Sequence, residues 1–136
     1  MVTNKEPRGI RNNNPGNIRY NGIDWRGLAN PPSDGAFCIF TSPRFGIRAL
    51  GKLIRNYHFH YGIRTIKGII NRYAPASEND TAAYIKHICD ATGFDDSTQL
   101  DLENDDVVLA LMRAIIHHEN GEQPYSDDEL RLGLKC

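Results

Sequence analysis

One carboxylate in this chain stands where acid chemistry would want it. In Ala114-Ile115-Ile116-His117-His118-Glu119-Asn120-Gly121 a strongly apolar helical run delivers Glu119 to its end and stops on Asn-Gly. A carboxyl held half against a helical core and half in an open turn is partly desolvated. Its pKa then rises toward neutrality, as a general acid for glycosidic bond cleavage requires. The bland alternative is a solvent-exposed carboxylate at a helix end, but that position has a cost. A negative charge there faces the negative end of the helix dipole and is slightly unfavourable unless something uses it.

Two further glutamates compete. Glu78, in Ser77-Glu78-Asn79-Asp80-Thr81, falls at a predicted helix N-terminus, where the dipole holds its pKa down and keeps it ionised. That suits a base or an electrostatic stabiliser, and an acidic helix start capped by Ser77 and Asp80 accounts for it equally well. Glu6 lies in a polar leader and is the weakest of the three. Glycosidases usually employ two carboxylates, and Glu78 and Asp24 are the partners available to Glu119. Without a partner, the economical chemistry is internal attack, in which one glutamate protonates the glycosidic oxygen and then deprotonates a hydroxyl of the sugar itself.

The second dense segment is Arg8-Gly9-Ile10-Arg11-Asn12-Asn13-Asn14-Pro15-Gly16-Asn17-Ile18-Arg19-Tyr20. Asn12, Asn13, Asn14 and Asn17 offer amides suited to the N-acetyl and hydroxyl groups of an amino sugar, aimed by the Pro15-Gly16 turn. At least two of the four are expected to bond their own backbone instead. Tyr20, Trp25, Tyr73 and Tyr125 are candidate platforms for sugar rings, with Trp25 expected to pack under the front lobe. The histidines do not read as a metal site. His58 and His60 point to different faces, His117 and His118 are adjacent, and HExxH spacing is absent. His118 reads as a helix-end cap that could also tune Glu119.

The elements that must position these residues follow from turn chemistry and period. The 136 residues and 40% hydrophobic content suit a single domain of 1–136 with one core. Residues 1–41 read as an irregular or β lobe, with hairpins across Asn21-Gly22 and near Asp34-Gly35. Residues 42–136 read as a helical lobe of about five helices. Ser42-Pro43 starts a helix to Tyr61 with its apolar stripe at Ile47, Leu50, Ile54, Tyr57 and Tyr61. Thr65 caps a shorter helix ended by Pro75, Ser77 or Asp80 opens one that closes at Gly93, and the acids of 101–106 start the helix that ends at Glu119. Ser126-Asp127-Asp128-Glu129 is a capping box for the last.

Composition bounds the rest. Residues 1–72 hold 12 Lys/Arg against 3 Asp/Glu and residues 73–136 hold 4 against 14, an asymmetry that mutual packing of the halves would neutralise. A basic nucleic-acid face would want aromatics interleaved with the arginines, and they are absent, so no nucleic-acid partner is expected. No run approaches the roughly 18 apolar residues of a membrane span, and Met1 to Gly9 lacks the apolar core of a secretory signal. The expectation is cytoplasmic synthesis without a signal peptide and no membrane insertion. Cys38, Cys89 and Cys136 suggest neither a disulfide framework nor a zinc site, and no metal or organic cofactor is expected.

The strings Gly9-Ile10-Arg11-Asn12-Asn13-Asn14-Pro15-Gly16-Asn17-Ile18-Arg19, Trp25-Arg26-Gly27-Leu28, Asp34-Gly35-Ala36-Phe37 and Gly46-Ile47-Arg48-Ala49-Leu50 resemble a family of small phage- or prophage-encoded proteins of lysozyme-like type. So do Ala74-Pro75-Ala76-Ser77-Glu78-Asn79-Asp80-Thr81 and His118-Glu119-Asn120-Gly121 with Pro124-Tyr125. The segment Asn17 to Leu50 is also similar to the part of flagellar-type glucosaminidases that follows their catalytic Glu, here placed ahead of it, the arrangement of a circular permutation. The resemblance implies a mainly α, lysozyme-like α+β fold and cleavage of peptidoglycan glycan strands, of muramidase or glucosaminidase type or, if Glu119 has no partner, by a lytic transglycosylase route in which the muramoyl 6-hydroxyl makes the internal attack. Delivery would be through a holin-type pore, within a virion or by a contractile secretion device. A non-catalytic virion or wall-binding module of the same fold is the competing reading.

Overall fold

A computed structural model describes residues 6–77 and 79–136. Among these, the chain runs α1 (Arg8–Arg11), β1 (Leu28–Ser33), β2 (Cys38–Phe40), α2 (Pro43–Tyr61), α3 (Ile66–Tyr73), α4 (Thr81–Thr92), α5 (Asp105–Asn120) and α6 (Asp127–Lys135). The fold is mainly α with a small α+β front, as the sequence led one to expect.

The helices start and stop where their side chains dictate. Thr65 accepts the amide of Gly68, Asp80 that of Ala83 and Asn104 that of Asp106, each satisfying a first-turn donor. At α6 the capping box is complete, with Ser126 and Glu129 each accepting the other's backbone amide. Gly62, Gly93 and Gly121 end α2, α4 and α5 in the left-handed region. Helix α5 is the central member, burying Val108, Leu109, Leu111, Met112, Ile115 and Ile116 among the others. Helix α2 buries Ile47, Leu50, Ile54 and Tyr57, but Tyr61 leaves the expected stripe. It is 59% exposed and carries the Arg72 guanidinium 3.8 Å over its ring.

The front lobe departs from expectation in two places. Arg8–Arg11, read as irregular, forms one helical turn whose amides return to Pro7 and Arg8. The hairpin exists at Asp34-Gly35, where β1 and β2 pair antiparallel, and not at Asn21-Gly22. Residues 18–20 instead run along the free edge of β2. The Cys38 amide donates to Ile18, that of Tyr20 to Ala36, and Arg19 bridges Phe37. With that edge taken, Asn21 closes a local turn by accepting the amide of Ile23.

Asp34 holds the hairpin corner. Its carboxylate accepts the amides of Phe37 and Ala36, the Asn12 side chain and the Arg8 guanidinium. These bonds, that of Phe37 first, bring its pKa down from 3.8 to about 2. A depressed carboxylate stabilises the fold above its unfolded value and loses that contribution as pH falls through the folded one. Between about pH 4 and 2 the urea midpoint should therefore fall more steeply in wild type than in Asp34→Asn.

The front lobe sits closely on α2. A Cβ at Gly46 would run into the backbone carbonyl of Asn13. Gly46→Ala should cost about 2 kcal/mol in denaturant unfolding, because a backbone and not a flexible side chain must yield. The two charge halves also meet. Arg55 donates to the carbonyl of Leu102 and pairs with Asp105 at 2.7 Å.

Candidate active site

Glu119 occupies the last turn of α5, with Ile115 and Ile116 buried behind it and the chain released at Gly121. Both of its oxygens accept hydrogen bonds from distant parts of the sequence. Asn17 donates to Oε1 at 3.0 Å, and the Tyr84 hydroxyl donates to Oε2 at 2.8 Å. Burial pushes the Glu119 pKa up, and the Asn17 and Tyr84 bonds, which favour the ionised form, hold back part of the rise. Burial also raises the Tyr84 and Tyr73 hydroxyls, so both remain protonated donors.

Asn17 reaches Glu119 because the preceding turn is pinned from three sides. The Asn17 amide closes on the carbonyl of Asn14, and Asn17 itself adopts a φ of 50°, which asparagine tolerates better than other side-chain-bearing residues. Asn120 donates to the carbonyl of Pro15 at 2.7 Å and Tyr73 donates to that of Gly16. A side chain at Gly16 would collide with the Tyr73 hydroxyl and Leu50. Asn120 thus ties the helix end carrying Glu119 directly to the turn carrying Asn17.

The carboxyl opens into a groove of about 360 Å³ between the front lobe and the helices. One wall is Asn17, Arg19, Asn21, Ile23, Trp25 and Phe37. The other is Leu53 and Tyr57 of α2, Arg72 and Tyr73 of α3, and beyond α3 Ala74, Pro75 and Asn79. Among the described residues lining it, Glu119 is the one carboxylate. Asp24 is exposed and outside the lining, and Glu6 is likewise exposed. Glu78 lies outside the described residues, although its neighbour Asn79 lines the groove.

The expected sugar contacts divide sharply. Asn17 and Tyr73 line the groove, and Trp25 does so as well while packing against the hydrophobic core. Asn12, Asn13 and Asn14 do not. Asn12 donates to Asp34, Asn13 to the carbonyl of Phe40, and Asn14 donates to Ile18 and Cys38 while accepting the amide of Ile18. Their amides are consumed by the scaffold, the assignment to substrate is corrected for all three, and their bonds reach across the lobe and not only along the local backbone. Tyr20 is exposed outside the lining, and Tyr125 is buried elsewhere with its hydroxyl unpartnered among the described residues. Tyr84 is a site residue that the sequence does not announce, because its buried place on α4 beside Ile88 looks like core and hides the one polar atom that matters.

Fold and site together define a mainly helical protein with a part-buried acid at the end of its central helix, facing an amide- and aromatic-lined groove. Over 135 residues the chain is 40% identical to Protein P5 of Pseudoalteromonas phage PM2, covering 97% of this chain and 82% of that protein. The chain belongs to the family of this phage protein. No protein-family model matches it. Among the described residues no helix is long and apolar enough to cross a membrane, and no group of three or more His, Cys, Asp or Glu side chains is arranged to hold a metal ion.

Proposed function

We propose that this protein cleaves the glycan strands of bacterial peptidoglycan, with Glu119 as general acid. The observation that carries the reading is a part-buried carboxyl, its proton favoured by that burial, facing a groove of about 360 Å³ lined by aromatic and amide side chains. Trp25, Tyr57 and Tyr73 are aromatic surfaces for those rings, and Asn17, Asn21 and Asn79 are donors and acceptors for their N-acetyl and hydroxyl groups. Glu119 delivers its proton to the glycosidic oxygen as the bond to C1 breaks. The carboxylate so formed is steadied by Asn17 and Tyr84.

A solitary carboxylate among the described lining residues favours the internal route over attack by water. Glu119 takes the proton of the muramoyl 6-hydroxyl as that oxygen closes on C1, giving an anhydro product. Glu78 is the alternative second acid, and in that case the product is hydrolysed. Kinship with a phage protein fits action at the cell wall from a virion or during lysis. Incubation of purified sacculi with the protein, followed by mass analysis of released muropeptides, tests the reading. Anhydro-muropeptides support it, hydrated products move the second role to Glu78, and intact strands defeat cleavage altogether.

One observation favours a non-catalytic wall-binding or virion module. Both oxygens of Glu119 are already engaged, so the side chain also serves to join the Asn17 turn to α4 and α5. Muropeptide binding without strand scission would select that reading.

A further inference from the structure

Helices α4 and α5 face each other through four ring or carboxyl side chains in register. Tyr84 and His87 stand one turn apart on α4, and His118 and Glu119 are adjacent on α5. Tyr84 donates to Oε2 of Glu119, and the His118 ring lies against the Tyr84 ring with centroids 3.7 Å apart and planes at 24°. Nδ1 of His118 lies 2.7 Å from Nδ1 of His87. So short a line between two nitrogens holds one proton. Two lone pairs would repel, and two N–H groups would clash, so one ring donates and the other accepts.

The remaining neighbours of the pair are His117, whose ring is 5.5 Å from that of His87, and Arg113, engaged with Asp127. A second cavity of about 490 Å³, lined by His87, His117 and Arg113 with Ala91, Ala110 and Ala114, opens on this side. Neither imidazole of the pair lines the groove that holds Glu119.

We propose that His87 and His118 are positioning residues for Glu119, their shared Nδ1–H···Nδ1 bond clamping α4 to α5 so that the stacked His118 ring seats the Tyr84 hydroxyl on the carboxylate. The inference rests on the reading of Glu119 as general acid. It assigns the histidines no contact with substrate and no part in proton transfer. Burial, with His87 and His117 nearby, lowers the His118 pKa, which keeps its ring neutral and able to lie flat on Tyr84. Loss of the clamp frees Tyr84 to drift, Glu119 loses one of its two donors, and its ionised form becomes less favourable.

Nitrogen-15 NMR of the full chain, well above the ordinary imidazole pKa of about 6.5, reads the tautomers directly. One ring should carry its proton on Nδ1 and the other on Nε2, whereas two Nε2–H rings overturn the clamp. Carbon-13 titration of the Glu119 carboxyl follows in His87→Leu, His87→Asn and Tyr84→Phe. Leucine should raise the midpoint in the same direction as Tyr84→Phe, and asparagine, whose amide stands where Nδ1 stood, should return it toward wild type. An unmoved midpoint in His87→Leu overturns the positioning role. On sacculi, His87→Leu should lower kcat roughly tenfold at unchanged KM, with asparagine recovering most of it. Wild-type protein that leaves sacculi intact defeats the catalytic reading, and the positioning role with it, even where the tautomers and titrations come out as expected.

Discussion

Glu119→Gln should lower sacculus cleavage by about 10³-fold or more while leaving the protein folded, because the amide has no proton to give. The side chain keeps its shape and can still accept the Asn17 amide at Oε1. Stability should move the other way. The folded-state pKa of Glu119 lies above its usual 4.5, so the native state binds the proton more readily than the unfolded chain. Wild-type stability therefore falls as pH rises from the unfolded value through the folded one. Gln carries no such charge, and the variant should melt higher than wild type near neutrality and converge on it in acid. Thermal unfolding across that range, beside a turbidity assay, separates the possibilities. A folded Gln variant that clears sacculi like wild type removes Glu119 from the acid role.

Asn14→Leu should destabilise the protein by about 3 kcal/mol or more, a loss that activity would register only through unfolding. Asn14 is fully buried and makes three bonds, two to carbonyls and one from an amide, and leucine of similar size leaves the Ile18 amide without this acceptor and the Ile18 and Cys38 carbonyls without this donor, the Ile18 carbonyl keeping the Cys38 amide. The contrast with Asn17→Ala is informative. That substitution removes a donor from Glu119 and places alanine in a left-handed backbone that asparagine tolerates better. It should leave the denaturant midpoint within about 1 kcal/mol and raise the Glu119 titration midpoint. Two asparagines three positions apart in one motif would thus report on different things, one on folding and one on the acid. Equal stability losses in the two variants would refute the division.

The difference between those asparagines shows what was readable beforehand. Four amides in six residues announced a purpose but not its division, since an asparagine that bonds a strand and one that bonds a carboxylate look alike in one dimension. Histidines gave a similar result. The adjacent pair His117-His118 drew attention by proximity in sequence, while His87, the partner that completes the short contact, carries no signal beyond lying one turn after Tyr84. Trp25 was expected to pack because tryptophan is usually core, and it does pack against the core, but nothing in the sequence signals that it also lines the groove. The unrecognised free edge of β2 explains the misplaced hairpin at Asn21-Gly22, because pairing with residues 18–20 is long-range.

What the sequence determined by itself is everything governed by neighbours within a turn or two. The extents of α2 through α6, their caps, the Gly stops, and the arrival of an acid at the end of an apolar helix all follow from local hydrogen bonding and the 3.6-residue period. Tertiary structure alone decided which groups the acid meets. Asn17 and Tyr84 lie 102 and 35 residues from Glu119, and no local rule reaches that far. The burial that raises its pKa, and the groove that gives the proton somewhere to go, exist only once the front lobe has closed over the helices.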